Sequence, residues 1–225
     1  MTRIFDIVLS LAALIILSPL LLPIALILKF TGEGEVFYVQ ERIGLNERPF
    51  SMFKFATMLK NSPHIGTGTI TVRNDPRVLP VGRILRKTKI NELPQLLNVL
   101  VGDMSVIGPR PLTQDHFVHY APELRKTIGS IRPGLSGVGS IVFRDEERLL
   151  SDKEDPADYY RSEIAPYKAL LEVWFVENHD IWLYLKCIFL TIWVVINSSS
   201  NMAFAAFKDL PQPQGQLKLD LEGPS

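Results

Sequence analysis

The segment between residues 73 and 89 carries an excess of positive charge. Asp75 is its only acidic residue, and its basic residues are Arg73, Arg77, Arg83, Arg86, Lys87 and Lys89. An excess of this kind predicts an anion-binding surface. Two interpretations fit it. One is attraction to anionic lipid head groups at a membrane surface. The other is a diphosphate site, because the planar fork of arginine binds phosphate oxygens in pairs.

A carboxylate follows this basic segment directly, in the run Asn91-Glu92-Leu93-Pro94. Asn91 is typical of a helix N-cap and Pro94 is tolerated in a first turn, so the run predicts the start of a helix. Free N–H groups at that end favour a phosphate, and Glu92 is suited to hold Mg²⁺ against it. The alternative interpretation is that Glu92 only complements the helix dipole.

Polar residues farther along the chain are suited to the same chemistry. Asp103 adds a carboxylate, and Arg110 lies between two prolines that restrict where its guanidinium can reach. His116 and His119 are three residues apart, but we find no third nitrogen or sulfur ligand for a metal in the sequence around them. We therefore interpret the two histidines as a surface pair.

Bulk composition narrows the class of protein. The chain has 225 residues, 47% of them apolar, which predicts one domain with appendages. Its formal net charge is zero, so overall charge gives no reason to expect a nucleic-acid partner. Cys187 is the one cysteine, which excludes an intramolecular disulfide and a cysteine zinc site, and we predict that it is a core residue.

An uncharged apolar run from Ile7 to Leu28 is long enough to cross a hydrocarbon core. Ser18-Pro19 lies in its middle and Pro23 follows one turn later, which predicts a break or kink, because each proline removes a backbone donor. Two topologies remain open: a kinked spanning helix, which the residues alone favour, and a re-entrant helix that returns to the same face. Basic residues downstream predict a cytoplasmic body.

The elements between this run and the polar residues are a hairpin and a helix. Aromatic and β-branched residues alternate with polar ones on both sides of the turn Gly44-Leu45-Asn46-Glu47, which predicts a β-hairpin. From about Leu79 to Leu100 the apolar residues follow helical spacing, which predicts a helix.

The second half of the chain contains loops, an apolar helix and a tail. Proline and glycine at residues 108–111 and 132–134 predict loops. Ile181–Ile196 is apolar but short and contains a lysine, which predicts an interfacial or core helix rather than a second crossing. Residues 201–225 have little hydrophobic pattern toward their end and predict a tail.

Taken together, the polar motifs resemble those of the bacterial sugar transferase family, the monotopic polyprenyl-phosphate phosphoglycosyl transferases. The resemblance covers nearly the whole chain. It rests on Phe5-Asp6, Ser18-Pro19, Gln40-Glu41-Arg42-Ile43-Gly44, Lys54-Phe55, Asp75-Pro76-Arg77-Val78, Gly82-Arg83, Leu85-Arg86-Lys87-Thr88, Glu92-Leu93-Pro94-Gln95-Leu96, Asn98-Val99-Leu100, Gly102-Asp103-Met104-Ser105, Gly108-Pro109-Arg110-Pro111 and Pro133-Gly134-Leu135-Ser136-Gly137.

The resemblance implies a function. Members of the family use Mg²⁺ and a two-step mechanism, in which the aspartate of an Asp-Glu dyad attacks the sugar-linked phosphate of a UDP-sugar and releases UMP. The phosphosugar then passes to polyprenyl (undecaprenyl) phosphate. The resemblance also implies that the first helix is re-entrant, bent at Ser18 and Pro19. It reverses the preference for a spanning helix.

These inferences together define the predicted architecture and site. We expect an α+β fold, mainly helical with a small β-hairpin and interfacial amphipathic helices. A re-entrant membrane helix (residues 1–30) precedes a phosphosugar transferase domain (31–200) and a C-terminal tail (201–225) on the cytoplasmic face of the bacterial inner membrane. The candidate catalytic residues are Glu92, Asn91 and Asp103, with Glu92 also as the metal ligand. The candidate phosphate- and substrate-binding residues are Lys54, Arg73, Arg77, Arg86, Lys87, Arg110 and Arg132.

The chain departs from the family pattern at the dyad, where Asn91 stands in place of the nucleophilic aspartate. An asparagine side chain is neutral and cannot readily form an acyl phosphate. Ala56 also replaces the arginine of a Lys-Phe-Arg motif. Our leading hypothesis is an active enzyme in which Glu92 is either the substitute nucleophile or a Mg²⁺ ligand for direct transfer. The alternative is a catalytically silent membrane-bound module that holds polyprenyl phosphate or a partner transferase. The expected partners are a UDP-sugar, polyprenyl phosphate and the membrane, and exposed apolar helices are compatible with a homodimer.

Overall fold

The computed structural model describes residues 2–65, 75–118, 120–144, 146–151, 153–197, 202–207 and 209–222, and it is mainly helical. The helices are α1 (Thr2–Phe30), α2 (Pro80–Lys87), α3 (Gln95–Val101), α4 (Gln114–Phe117), α5 (Pro122–Ile128), α6 (Val138–Val142), α7 (Glu146–Ser151), α8 (Pro156–Tyr159), α9 (Ala165–Glu177), α10 (Ile181–Ile196), α11 (Met202–Ala206) and α12 (Gly215–Glu222). The strands are β1 (Phe37–Ile43), β2 (Pro49–Phe55), β3 (Ser105–Ile107) and β4 (Gly134–Ser136). The predicted α+β class is confirmed.

The predicted β-hairpin is formed by β1 and β2, which pair antiparallel with Phe37 opposite Phe55. Its turn is a short 3₁₀ segment, Leu45–Glu47, in which Asn46 has φ 55° and Glu47 has φ 59°. Asparagine tolerates this left-handed conformation better than most residues, so the turn suits its sequence. The second pair of strands, β3 and β4, is parallel.

The helix predicted from Leu79 to Leu100 is interrupted. Its first part, α2, ends at Lys87, and Lys89 then adopts a left-handed conformation with φ 59°. Asn91 and Glu92 lie on a 3₁₀ turn, Ile90–Glu92, and α3 begins only at Gln95. The prediction that Asn91 caps a helix is therefore wrong, because its side chain makes no capping hydrogen bond. Residues 91 and 92 therefore lie on a separate turn between α2 and α3.

Both ends of α1 contact the same body. Near its N-terminus, buried Asp6 accepts hydrogen bonds from the Ser105 hydroxyl, the Val106 N–H and the Tyr184 hydroxyl, each at 2.8 Å. The Arg3 guanidinium donates to the Leu100 carbonyl at 2.8 Å, at the end of α3. Near its C-terminus, Ile24 and Leu28 pack with Phe55 of β2 and Leu85 of α2.

The middle of α1 is apolar and exposed. Among the described residues, α1 is the one helix long and apolar enough to cross a membrane by length and composition. It continues through Pro19 and Pro23 without the predicted break. The Ser18 hydroxyl donates to the Ile15 carbonyl at 2.8 Å. That carbonyl is the one that Pro19 leaves without its helical donor, so a local bond compensates for the proline.

The main core lies between α6, α9 and α10 and includes residues from the C-terminal segment. One face of α10 is buried there, including Cys187, which confirms the prediction of a core residue. Its opposite face exposes large apolar side chains such as Trp182 and Phe189. The described part of the predicted C-terminal tail packs against the core, which its weak hydrophobic pattern did not indicate. Leu217 and Leu221 of α12 are buried in this core, and Asp220 pairs with Lys153 at 2.6 Å.

Candidate active site

A cavity of about 840 Å³ opens beside the hairpin. It is lined by both hairpin strands, the turn that carries Asn91 and Glu92, the loop after β3, and parts of α6, α7, α9 and α10. A volume of this order is typical of small-molecule sites.

One region of the cavity holds a carboxylate among cations. The Lys54 ammonium lies 3.7 Å from a Glu92 carboxylate oxygen, and 17% and 21% of these two side chains are exposed. Four other cationic residues that line the cavity act electrostatically on Lys54 or Glu92: Arg42, Arg86, Lys89 and Arg110. Arg42 and Lys54 reach it from neighbouring strands of the hairpin, where Tyr38 pairs with Lys54 and Arg42 with Phe50. Side chains two residues apart share a face of a strand, so this register places the two cations on the same face.

The charges of this region shift one another's pKa values. Burial opposes ionisation of Glu92, but Lys54 and then Arg110 outweigh it and lower the pKa of Glu92 to about 2. Burial lowers the pKa of Lys54 to about 7, and the nearby arginines add to this effect although Glu92 opposes it. Glu92 is thus ionised at neutral pH, while Lys54 titrates there. The region has a strong local demand for further negative charge.

Asn91 is buried beside Glu92 and also lines the cavity. Its side-chain oxygen has no hydrogen-bond partner among the described residues. A buried oxygen left unpaired costs about 1–3 kcal/mol. The arrangement therefore favours a ligand that brings a donor or a cation to this oxygen.

The loop that carries Arg110 is fixed by backbone hydrogen bonds. The Gly108 N–H donates to the Ser136 carbonyl at 2.9 Å, and the Gly134 N–H donates to the Pro109 carbonyl at 2.8 Å. The Arg110 N–H donates to the Glu172 carboxyl of α9 at 3.2 Å. Strand β4 and α9 together hold the loop so that Arg110 faces the cavity.

The structure brings together five of the sequence-predicted site residues: Lys54, Arg86, Asn91, Glu92 and Arg110. It places Arg77, Lys87, Asp103 and Arg132 elsewhere. Arg77 is buried and its guanidinium is held by Asp75 at 2.6 Å and by the Ser62 carbonyl at 2.7 Å, so it stabilises its own loop. Arg73 lies outside the described residues.

Three further predicted residues also lie outside the cavity. Lys87 is exposed in the last turn of α2, where a cation complements the helix dipole. The Arg132 Nε donates to the Gly102 carbonyl at 2.8 Å. The Asp103 carboxylate accepts from the Asn98 amide at 3.3 Å, and that amide also donates to the Ser51 carbonyl of β2. Asp103 therefore helps to join α3 to the hairpin.

Sequence reasoning missed several cavity residues. Arg42 could have been found by extending the hairpin register from Lys54, because both follow the same alternation. His116 lines the cavity and its ring lies 5.5 Å from that of Tyr160, whereas we predicted a surface position. His119 lies outside the described residues. Tyr160, Glu146 and Lys168 gave no signal in the sequence, because the folding of α7 to α9 brings them to the cavity.

Replacing Glu172 with Gln is expected to remove a pH dependence of stability. Burial raises the pKa of Glu172 to about 7, from 4.5. Between these two values the unfolded chain has released this proton and the folded chain has kept it. The stability from protonated Glu172 is therefore complete below pH 4.5 and lost as the pH rises through 7, a change of about 3 kcal/mol.

Thermal unfolding in detergent from pH 4.5 to 8 measures this effect. As the pH rises, the unfolding midpoint of Glu172→Gln should increase relative to that of the unmodified protein. A constant difference between the two proteins over this range contradicts the prediction.

Comparison with known proteins indicates the same family as the polar motifs do. The bacterial sugar transferase family model matches residues 1–198. Undecaprenyl-phosphate glucose phosphotransferase of Komagataeibacter xylinus is 36% identical over 195 residues, 84% of this chain and 35% of that protein. UDP-glucose:undecaprenyl-phosphate glucose-1-phosphate transferase of Klebsiella pneumoniae is 35% identical, over 84% of this chain and 39% of that protein.

A shorter relative matches along most of its length. Exopolysaccharide production protein PSS of Rhizobium leguminosarum bv. phaseoli is 35% identical over 84% of this chain and 92% of that protein. The chain thus spans less than half the length of the first two relatives and corresponds to most of the third. The family match covers the hairpin, the turn with Asn91 and Glu92, and the Arg110 loop. The chain belongs to the bacterial sugar transferase family.

Proposed function

We propose that the chain transfers a sugar-1-phosphate from a UDP-sugar to polyprenyl (undecaprenyl) phosphate with release of UMP, the first step of a lipid-linked glycan. The observation that carries this proposal is the region of the cavity in which the ionised Glu92 carboxylate lies among Lys54, Arg42, Arg86, Lys89 and Arg110. A diphosphate supplies the negative charge that such a cavity demands. The names of relatives, which include glucose and galactose phosphotransferases acting on undecaprenyl phosphate, support the same reaction.

Glu92 acts as the nucleophile in this proposal. Its carboxylate oxygen attacks the sugar-linked phosphorus of the UDP-sugar, the bond from that phosphorus to the bridging oxygen breaks, and UMP leaves with the bond electrons. A phosphate oxygen of polyprenyl phosphate then attacks the same phosphorus and releases the Glu92 carboxylate. Lys54, Arg42 and Arg110 offset the charge of the diphosphate and of the leaving UMP.

The residues of the cavity fit Mg²⁺ only as a partial site that the substrate phosphates complete. The described residues contain no group of three or more acidic, histidine or cysteine side chains that could hold a metal by themselves. Mg²⁺ is commonly held by one or two carboxylates together with substrate phosphates and water. Glu92, with the unpaired Asn91 oxygen beside it, offers such a partial site. A bound Mg²⁺ would supply charge neutralisation of the diphosphate, and we expect binding to require the substrate because the surrounding side chains are cationic.

Exposed apolar surfaces support a place at the membrane for this reaction. The middle of α1 and the outer face of α10 are apolar. Ile188, Ile192 and Val195 of α10 line the cavity, so an apolar wall suited to a polyprenyl chain adjoins the cationic region. The contacts of both ends of α1 with one body support a re-entrant helix on the cytoplasmic face of the inner membrane. We propose residues 31–200 as the transferase domain. The exposed apolar surface is compatible with a homodimer.

Asn91 favours one competing function, a silent module that binds polyprenyl phosphate without turnover. It lacks the charge and the nucleophilicity of the aspartate that the family pattern places there. The module retains lipid-phosphate binding but releases no UMP from any UDP-sugar. The enzyme releases UMP in a reaction that depends on Mg²⁺ and on polyprenyl phosphate.

Isotope exchange tests the proposed mechanism directly. Purified protein is incubated with labelled UMP, UDP-glucose or UDP-galactose and Mg²⁺, without lipid acceptor. A covalent intermediate returns label to the UDP-sugar and adds a phosphosugar mass to the peptide that contains Glu92. Turnover with lipid but without exchange or adduct rejects Glu92 as nucleophile and leaves direct transfer. Absence of turnover with every UDP-sugar rejects the enzyme.

The affinity for UDP is expected to fall as the pH rises above 7. Lys54 loses its charge through a pKa of about 7 in the free protein, and a bound diphosphate favours the charged form. Binding above pH 7 therefore takes up a proton, and the affinity should fall by up to about tenfold per pH unit.

Calorimetry in buffers of different ionisation enthalpy measures this proton uptake. In Lys54→Arg the cation stays charged, so its affinity should change little between pH 7 and 9. Equal pH dependence in the two proteins contradicts the assignment to Lys54.

A further inference from the structure

A second pair of opposite charges lines the cavity, separate from Lys54 and Glu92. Lys168 of α9 is 6% exposed, and its ammonium lies 2.6 Å from a carboxylate oxygen of Glu146 on α7. The same ammonium lies 5.0 Å from the centre of the Phe143 ring and 5.4 Å from that of Tyr160. Burial disfavours ionisation of Glu146, but Lys168 outweighs it and the pKa of that carboxyl is lowered.

This pair is close enough to the phosphate-binding region to contact the same substrate. Arg110 interacts electrostatically with both Glu92 and Glu146. Tyr160 likewise interacts with Glu146, Arg110 and Arg42. Arg110 thus interacts with both parts of the cavity, and Glu92, Arg110 and Glu146 all line it.

The chemistry of this wall differs from that of the cationic region. Its cation and its carboxylate neutralise each other, so it does not attract a further phosphate. A carboxylate accepts hydrogen bonds from hydroxyl groups, and its charge makes those bonds stronger than neutral ones. The rings of Tyr160 and His116, 5.5 Å apart and tilted by 39°, add aromatic surface for the C–H face of a ring. A hydrogen-bond acceptor beside an aromatic surface suits a sugar ring, which carries hydroxyl groups and a C–H face.

We propose that Glu146, held by Lys168 and flanked by Tyr160, binds hydroxyl groups of the sugar and so determines which UDP-sugar is accepted. This inference rests on the proposed function, because it assigns the sugar part of that substrate. Uridine is the other group attached to the diphosphate, and its ribose also carries hydroxyls. The test therefore has to separate sugar from uridine.

UDP-glucose and UDP-galactose make that separation, since they share uridine and differ in the orientation of one sugar hydroxyl. The measurements are kcat/KM for UMP release with each donor, calorimetric affinity for each donor, and affinity for UMP. They are made on the unmodified protein and on Glu146→Gln. Glu123→Gln, which changes an exposed glutamate of α5 that does not line the cavity, is the matched control.

We expect Glu146→Gln to change the ratio between the two donors by about tenfold or more, because it weakens a charged hydrogen bond to a hydroxyl. Its affinity for UMP should stay within about twofold of the unmodified value, and Glu123→Gln should leave every value unchanged. Glu146→Gln alone leaves the buried Lys168 ammonium without its carboxylate, which can disturb folding. The double variant Glu146→Gln with Lys168→Met removes that cation as well. It should show the same changed ratio between the two donors.

Three results overturn the inference and are distinguishable. An unchanged donor ratio in both variants, with normal UMP release, overturns the sugar assignment and leaves the proposed function in place. A loss of UMP affinity equal to the loss for both donors shows that the wall binds uridine. Failure of the unmodified protein to bind any UDP-sugar overturns both this inference and the proposed function.

Discussion

Replacing Glu92 with Gln is expected to lower UMP release by about 10³-fold or more, as removal of a covalent nucleophile does in other enzymes. An amide cannot form the acyl phosphate, and no other acidic residue among the described ones pairs with Lys54 in the cavity. Binding of UDP without Mg²⁺ should not weaken, because the substitution removes a negative charge from among the cations that surround Glu92. The loss should thus appear in kcat and not in the affinity for UDP.

Steady-state UMP release and calorimetric UDP binding measure the two effects. Glu41→Gln is the matched control, since Glu41 is exposed on the same hairpin and does not line the cavity. If Glu92→Gln keeps more than a tenth of the activity, Glu92 is neither the nucleophile nor an essential ligand.

Replacing Gly134 with Ala is expected to destabilise the protein by at least about 3 kcal/mol, the upper range for overpacking. A Cβ atom at Gly134 would lie too close to the Gly108 N–H and the Ser136 carbonyl, and 2.6 Å from the Gly108 carbonyl. All three neighbours are backbone atoms, so they cannot rotate away. The same backbone carries Arg110 two residues later, and activity should fall together with the unfolding midpoint.

Gly215→Ala separates this steric effect from the conformational one. Gly215 has φ 56° but nothing within 4 Å of a Cβ atom, so only the left-handed backbone costs free energy, about 1–2 kcal/mol. Thermal unfolding of the two variants measures the difference. Equal midpoints would mean that the loop moves apart at a cost of only about 1–2 kcal/mol and that close packing does not fix Arg110.

Local pattern accounts for the elements that the sequence predicted well. The hairpin was predictable because its alternation and its turn residues lie within one short segment. The interruption near Asn91 was not, because the apolar spacing of Leu93, Leu96, Leu97 and Leu100 continues helical periodicity past it. The left-handed Lys89 that ends α2 has no signature in composition.

The sequence shows how many charged residues the basic segment contains, but it does not show which of them line the cavity. Arg77 and Arg86 looked equivalent in the basic segment, yet Arg77 is held by Asp75 and the neighbouring loop, and Arg86 lines the cavity. The difference depends on where the chain turns after α2. Likewise, Glu146 and Lys168 are 22 residues apart and meet only through the packing of α9. The C-terminal leucines gave a weak pattern because the core that buries them is formed mostly by residues distant in sequence.

The attachment of α1 at both ends bears on how the protein responds to bilayer thickness. Ser10 and Ile24 are buried against the body, so residues 11–23 form the stretch of α1 between its two attached ends. At 1.5 Å per residue these residues reach about 20 Å even when straight, less than the roughly 30 Å of a hydrocarbon core. A helix of this reach is not matched to the distance between the two leaflets. We expect the protein to tolerate lipids of different chain length, which would tilt or strain a spanning helix.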